Sequence, residues 1–262
     1  MINDQISGRL QGRLNATANE LNPDSVGRNQ PPMRAWFRNR YLDLLASIYI
    51  YNEHRGYTAI DDLLAAVRQR WPDDHALIAK IEKHRVDERK HYVMFRRWFE
   101  RRGIMPLAVD SACGHIDRFV GIMFGSSIDA LDKQKIVGND RLFGRLCRVI
   151  SLTERRGYRQ VEILLRNDHV LSDKMLTKVF RIIEQDEPSH WAPYDGWLEA
   201  HGVRNDRWWE RMVDGFVHSE LLFLKLPVLF LHPNLKRRAR FADEEDGRGD
   251  PVGEPSLATT VS

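Results

Sequence analysis

Cysteine is nearly absent. The 262 residues contain two, Cys113 and Cys147, in no C-x-x-C pair and at no zinc spacing. That leaves nothing to hold a structural zinc, an iron–sulfur cluster or a rubredoxin-like iron, and a reducing compartment is the simplest expectation. Long apolar runs are missing too. The longest, "LLFLKLPVLFL" at 221–231, is interrupted by Lys225 and Pro227, well short of the roughly 20 residues a membrane-spanning helix needs. The first 32 residues lack an apolar core of signal-peptide type, so the expected location is cytoplasmic, with peripheral attachment to the inner face of the membrane left open. Neither sign of charge dominates: 40 Lys and Arg against 37 Asp and Glu, a formal +3. This balance permits contact with anionic lipid or nucleic acid and argues for neither. There is no flavin fingerprint and very little strand alternation.

What is present is helical spacing nearly everywhere. Residues 1–33 are polar and rich in Asn, Gly and Pro, and read as a disordered N-terminal arm. Residues 34–232 read as one helical bundle with a C-terminal helix. Residues 233–262, basic then acidic, read as a disordered tail. Within the bundle, spacing predicts helices over about Met33–Arg70, Ala76–Arg102, Asp140–Arg166 and Ser172–His201. Gly103 and Gly202 suit left-handed caps and Ser172 an N-cap. Pro106–Val137 reads as an intervening helix or crossover, and a fifth, aromatic-rich helix starts near Asn205.

Two halves repeat. "NEHRGYTAIDDLL" (52–64) parallels "TERRGYRQVEILL" (153–165), and "DERKHYVMFRRWFERRG" (87–103) parallels "DEPSHWAPYDGWLEAHG" (186–202). The offsets are 101 residues (53 to 154) and 99 (88 to 187). Each half thus offers one Glu on its first helix and a Glu-x-x-His on its second. Positions i and i+3 share a helix face, so Glu88 with His91, and Glu187 with His190, can grip one point. Adding Glu53 and Glu154 gives four carboxylates and two imidazoles for a bundle core. Buried without counter-ions such a set is prohibitive; two divalent cations neutralise it. Oxygen-rich ligation with one imidazole per metal suits iron or manganese better than structural zinc. A single Glu-x-x-His carries little weight, but all six residues in this order, separated by 35, 66 and 33 positions within a duplication, carry much more.

The pattern Glu53, Glu88-x-x-His91, Glu154, Glu187-x-x-His190 resembles the ferritin-like superfamily of non-haem di-iron carboxylate proteins across roughly residues 34–202. The resemblance implies an all-α fold: a ferritin-like four-helix bundle from a duplicated helix pair, with an extra crossover helix and a C-terminal helix. It implies two iron ions, with manganese or a mixed pair as the alternative, and O₂ as co-substrate. Glu88 and Glu187 would bridge the metals, Glu53 and His91 completing one position and Glu154 and His190 the other. Asp87 and Asp186 would each orient the histidine of the opposite helix, as the Asp before Glu-x-x-His does in bacterial multicomponent monooxygenases and acyl-carrier desaturases. Those monooxygenases carry Arg before the His, where this chain has Lys90 and Ser189.

Other residues yield narrower expectations. Pro188, between Glu187 and His190, predicts a kink or π-bulge beside the metals, with a position near a helix start as the alternative. Gly56 and Gly157, each three residues after a ligand Glu, predict close approach of a neighbouring helix, since Gly within a helix costs about 1 kcal/mol relative to Ala. Tyr57 and Tyr158 read as core packing, with contact to the site as the alternative. Trp98 and Trp197 read as core. His54, His84 and His201 read as surface residues or local partners, and Glu184 as an outer or exposed carboxylate. The fifth helix is expected to bury its apolar side against the bundle; the alternatives are peripheral membrane contact and a homodimer contact.

The functional expectation is an O₂-activating di-iron monooxygenase, hydroxylase or desaturase. Its substrate would be a small hydrophobic organic molecule, lipid or quinone-like as in the related demethoxyubiquinone hydroxylases. Electrons would come from an external reductase or ferredoxin. The alternatives are a ferroxidase or peroxide-reducing iron-handling protein, a tRNA-hydroxylase-like enzyme (though no aromatic-and-basic cluster marks an RNA surface), and a scaffold retaining an inert metal site.

Overall fold

The computed structural model describes residues 32–109, 113–204 and 207–248. The chain divides into two compact units, Met1–Tyr41 and Leu42–Ser262. In the first, the expected N-terminal arm lies outside the described residues except for its last two, which already belong to a helix; there the Trp36 and Phe37 rings meet edge-on at 5.0 Å. The second unit holds everything that follows.

All regular structure among the described residues is helical, apart from an isolated bridge between Leu107 and Arg237. The long helices are α1 (Pro32–Arg70), α2 (His75–Arg101), α5 (Asp140–Leu164) and α7 (Lys174–Ala200). Shorter elements are α3 (His115–Phe124), α4 (Lys133–Val137) and α6 (Asp168–Leu171). Side chains set most of the ends. Asp74, Asn139 and Asp173 each accept a hydrogen bond from the backbone N–H three residues on, at the starts of α2, α5 and α7. Asp173, not Ser172, caps α7. Gly103 and Gly202 sit at φ +62° and +61° just past α2 and α7, where a side chain would be strained.

Paired residues give the direction of packing. Asp61 meets Arg85 and Arg68 meets Glu82, so α1 and α2 run antiparallel. Ser151 meets Asp195 and Glu154 meets His190, so α5 and α7 are antiparallel. The two hairpins join through α2 and α7, where Lys83 meets Ser189 and His84 meets Tyr194. The main core fills the far end of this arrangement, with Val67, Ile81, Phe143, Cys147, Tyr194 and Leu198 all fully buried. The expected crossover is α3 and α4. Arg55 fastens it to α1 through Asp117 (2.7 Å) and Asp129 (2.9 Å).

Three expectations change. Pro188 lies inside α7 with Pro193, yet α7 stays α-helical throughout, without a π-bulge there. Among the described residues the π-helical turn is Glu220–Lys225, just ahead of Pro227, whose missing N–H leaves the Phe223 carbonyl without its usual donor. Second, residues 233–248 pack against the bundle instead of forming a disordered tail. Helix α10 (Ala242–Asp246, numbered after α8 and α9 below) is anchored by Asp243, which accepts from Tyr92 Oη at 2.6 Å and pairs with Arg96 at 3.0 Å and Arg89 at 3.2 Å. Phe241 beside it is buried under the Arg96 guanidinium. Residues 249–262 lie outside the described residues.

Third, the C-terminal helix buries only one edge. It comprises α8 (Trp208–Ser219), the π-turn and α9 (Leu226–Leu231); the predicted start at Asn205 lies outside the described residues. Val213, Val217 and Leu221 face the bundle. Trp208, Met212, Phe216, Phe223, Val228 and Leu231 are more than half exposed. The buried edge is held by an ion pair: Arg148 Nε and Nη2 donate to the two oxygens of Glu210 at 2.6 and 2.9 Å, with both side chains only 3% exposed. Removing one partner of such a pair leaves a buried charge unmatched. Glu210→Ala is therefore expected to destabilise the protein by about 3–5 kcal/mol in urea unfolding.

Candidate metal centre

The six residues singled out by the repeat converge at the junction of the two hairpins. Glu53 comes from α1, Glu88 and His91 from α2, Glu154 from α5, and Glu187 and His190 from α7. Both histidines are fully buried, Glu53, Glu88 and Glu187 nearly so, and Glu154 is half-buried. Their ligand atoms fall into two compact groups, Glu53–Glu88–His91 and His84–Glu88–Glu154–His190, each with atoms within 4.8 Å of one another. Glu88 belongs to both. Glu187 belongs to neither, though its Oε2 comes within 3.5 Å of His190 Nδ1.

Distances within the groups are those of unbonded neighbours around a common point. His91 Nδ1 lies 3.3 Å from Glu53 Oε2, and His190 Nδ1 lies 3.3 Å from Glu88 Oε1 and 3.9 Å from Glu154 Oε2. The outer partners cross between helices. His91 Nε2–H donates to Asp186 Oδ2 at 3.0 Å, and His190 Nε2 faces Asp87 Oδ2 at 3.5 Å. Lys90 links the two aspartates, 2.8 Å from Asp87 and 2.6 Å from Asp186. Each ring is thereby aimed with Nδ1 inward.

The donors fit a metal. His91 Nδ1, His190 Nδ1, His84 Nε2 and Glu187 Oε2 are buried with no hydrogen-bond partner, an expense that folded proteins avoid unless something else satisfies the atoms. A buried cluster of Glu and His that could hold a metal ion is therefore present.

Without metal, protons carry the balance. Burial, then the Glu88 charge, push the Glu53 carboxyl up to about 8, and Glu154 is raised by burial and by Glu187. Burial alone would lower His91, but the hydrogen bond to Asp186 and the Glu53 carboxylate beside the ring hold it up at about 9. His190 is likewise raised against burial, by Asp87, Glu187 and Glu88. Glu88, despite burial, is held below the usual carboxylate range by His190 and His84.

The remaining expectations divide. His84, read as a surface residue or local partner, is 1% exposed and lies within the site; it was overlooked because it precedes Glu88 by four residues, outside the Glu-x-x-His motif, although i, i+4 and i+7 share a helix face. His54 is buried and pairs with Asp246 at 2.9 Å. His201 is exposed and stacked on Trp197 at 4.0 Å. Glu184 is half-buried and in neither group. Tyr57 is fully buried, between the rings of His54 and Tyr92, and Tyr158 packs on Trp191. Trp98 and Trp197 are core. Gly56 and Gly157 part company: a Cβ at 56 would run into the Glu88 carboxylate, whereas one at 157 would rest 3.6 Å from Glu187 Oε1, an ordinary contact.

No protein-family model, curated protein or solved structure matches the chain. The geometry alone carries the argument.

Two outcomes are expected. Gly157→Ala should stabilise α5 by up to about 1 kcal/mol and leave metal content unchanged, whereas Gly56→Ala should displace Glu88 and deplete bound metal, measured by thermal melts and elemental analysis. The second concerns pH. Glu53 and His91 bind protons more tightly folded than unfolded, so their contribution is complete below about pH 4.5 and 6.5 respectively and is lost as pH rises through about 8 and 9. Stability of the chelated protein should accordingly fall between about pH 4.5 and 9 in urea titrations, with a shallower fall below about pH 8 in Glu53→Gln.

Proposed function

We propose that the chain is an O₂-activating non-haem di-iron oxidoreductase, hydroxylating or desaturating a hydrophobic organic substrate. The observation that carries this reading is Glu88: one buried carboxylate shared by two ligand groups, one within the first hairpin and one spanning both, with inward nitrogens that lack hydrogen-bond partners. Ferritin-like architecture is part of the proposal and rests on the duplicated Glu and Glu-x-x-His pattern.

Glu53, His91 and Glu88 would hold one metal, and Glu88, Glu154 and His190 the other, with Glu187 moving in from beside His190. With iron bound, the pair supplies the electrons that activate O₂ for attack on an unreactive C–H bond. The chain's own residues supply the setting. Asp186 and Asp87 fix the His91 and His190 rings, and Lys90 holds both aspartates in place. Tyr92 and Ile50, neighbours of His91 and Glu53 in sequence, line an apolar pocket with Leu107, Val109 and Phe241. The exposed apolar edge of α8 and α9 favours a hydrophobic substrate, since it suits peripheral contact with a membrane that supplies such molecules. Among the described residues no helix is long and apolar enough to cross one. Electrons come from a separate reductase or ferredoxin, because the sequence carries no flavin fingerprint and no cysteine cluster.

Anaerobic loading with Fe(II) and an iron count test this. Two ions per chain are expected, falling to none in Glu88→Ala and to one in Glu53→Ala, with O₂ uptake by the reduced wild-type protein. Zero or one ion in the wild type, indifferent to Glu88→Ala and His190→Ala, would refute the reading. Uptake of O₂ that turns over Fe(II) alone, in a shell-sized particle, would favour iron handling instead.

A further inference from the structure

The repeat supplies two imidazoles, one per half, yet the structure brings a third into the cluster. His84 Nε2 lies 3.5 Å from Glu88 Oε1 and 3.8 Å from Glu154 Oε1, and its ring stacks on His190 at 4.3 Å between centroids. We propose that His84 is a nitrogen ligand, so that one metal position holds two imidazoles, His84 and His190, and the other holds one, His91. This rests on the di-metal reading and deepens it: the two positions are unequal.

Three observations support it. The first is orientation. His84 Nδ1 is 3.0 Å from Tyr194 Oη, while Nε2 is buried, inward and without a hydrogen-bond partner. His91 shows the same division, an outer nitrogen tied by a neighbour and an inner one left open. A tyrosine hydroxyl can accept from Nδ1–H, which leaves the Nε2 lone pair free for a metal. The second is placement. Residues 84, 88 and 91 follow i, i+4, i+7 and share one face of α2, so His84 reaches the point that Glu88 reaches from one turn away.

The third is the asymmetry of the duplication. At the 99-residue offset that maps Glu88 onto Glu187, His84 falls on Ile183 and Phe95 falls on Tyr194. His84 of the first half therefore meets the Tyr194 hydroxyl of the second, whereas their counterparts, Ile183 and Phe95, are both fully buried and without a polar atom. The Tyr194 hydroxyl satisfies only Nδ1, so the paired change still leaves the inner nitrogen for something else to satisfy.

Imidazole suits Cu(II) better than carboxylate does, so the His84–His190 position, with two imidazoles, fills first with that ion. Cu(II) is the probe. The metal-free protein is titrated with Cu(II) and followed by electron paramagnetic resonance, and nitrogen couplings are counted by spin-echo modulation. Expected at one equivalent is a mononuclear signal with two coupled imidazoles; at two equivalents, an exchange-coupled pair. In His84→Gln the first binding step weakens tenfold or more, one imidazole coupling is lost, and the second step changes little. Tyr194→Phe keeps the ring packing but frees His84 to turn, and weakens the first step to a smaller degree.

One coupled imidazole at one equivalent in the wild type overturns the proposal without any variant, so a misfolded His84→Gln leaves it exposed to refutation. Two unchanged binding steps with unchanged couplings in a folded His84→Gln overturn it as well, and both results leave the di-metal reading standing. A wild-type protein that binds no Cu(II) and no Fe(II) overturns both.

Discussion

The Glu88 carboxylate sits where the two hairpins meet, and much of the arrangement around it follows from making its burial tolerable. Taking a carboxylate out of water demands a compensating charge and a full set of hydrogen bonds. Here His84 and His190 approach from opposite helices, and the protons held on Glu53 and Glu154 keep the neighbouring carboxylates from repelling it. Gly56 supplies the room, because any larger residue would occupy the space of the Glu88 side chain. Charge, shape and hydrogen bonding therefore converge on one residue of α2.

Around that residue the two halves are similar without being equivalent. Asp186 is hydrogen-bonded to His91 at 3.0 Å, whereas Asp87 stands 3.5 Å from His190 Nε2 without a hydrogen bond. Gly56 is required by contact, Gly157 is not. A duplication starts from identical halves, and a buried site with room for only one shared carboxylate in its compact groups gives each half a different job. Glu187, the counterpart of Glu88, is in neither group, and its free oxygen beside His190 marks the half with more freedom to rearrange.

Much of this was legible in the sequence because it is local or periodic. Helix extents follow from apolar spacing, their ends from Asp74, Asn139, Gly103 and Gly202, and the cluster from two copies of Glu-x-x-His with their companion glutamates. Less legible were features set by distant partners. His84 gains its role only once Tyr194 and His190 are beside it. Pro188 suggested a kink or a π-bulge; the π-turn lies instead just ahead of Pro227. Residues 233–248 have the composition of a disordered segment, and what orders them is a carboxylate meeting Arg89, Arg96 and Tyr92 some 150 positions earlier.

That last contact has a consequence for the order in which the molecule can be completed during synthesis. Arg89 is buried, with Nε and Nη1 lacking hydrogen-bond partners, and the acceptor for its Nη2 is Asp243, 154 positions later. At about 5–20 residues per second on the ribosome, α2 precedes that acceptor by roughly ten to thirty seconds. Through that interval the first hairpin can assemble while its guanidinium still needs water, so its outer face stays wet until α10 arrives.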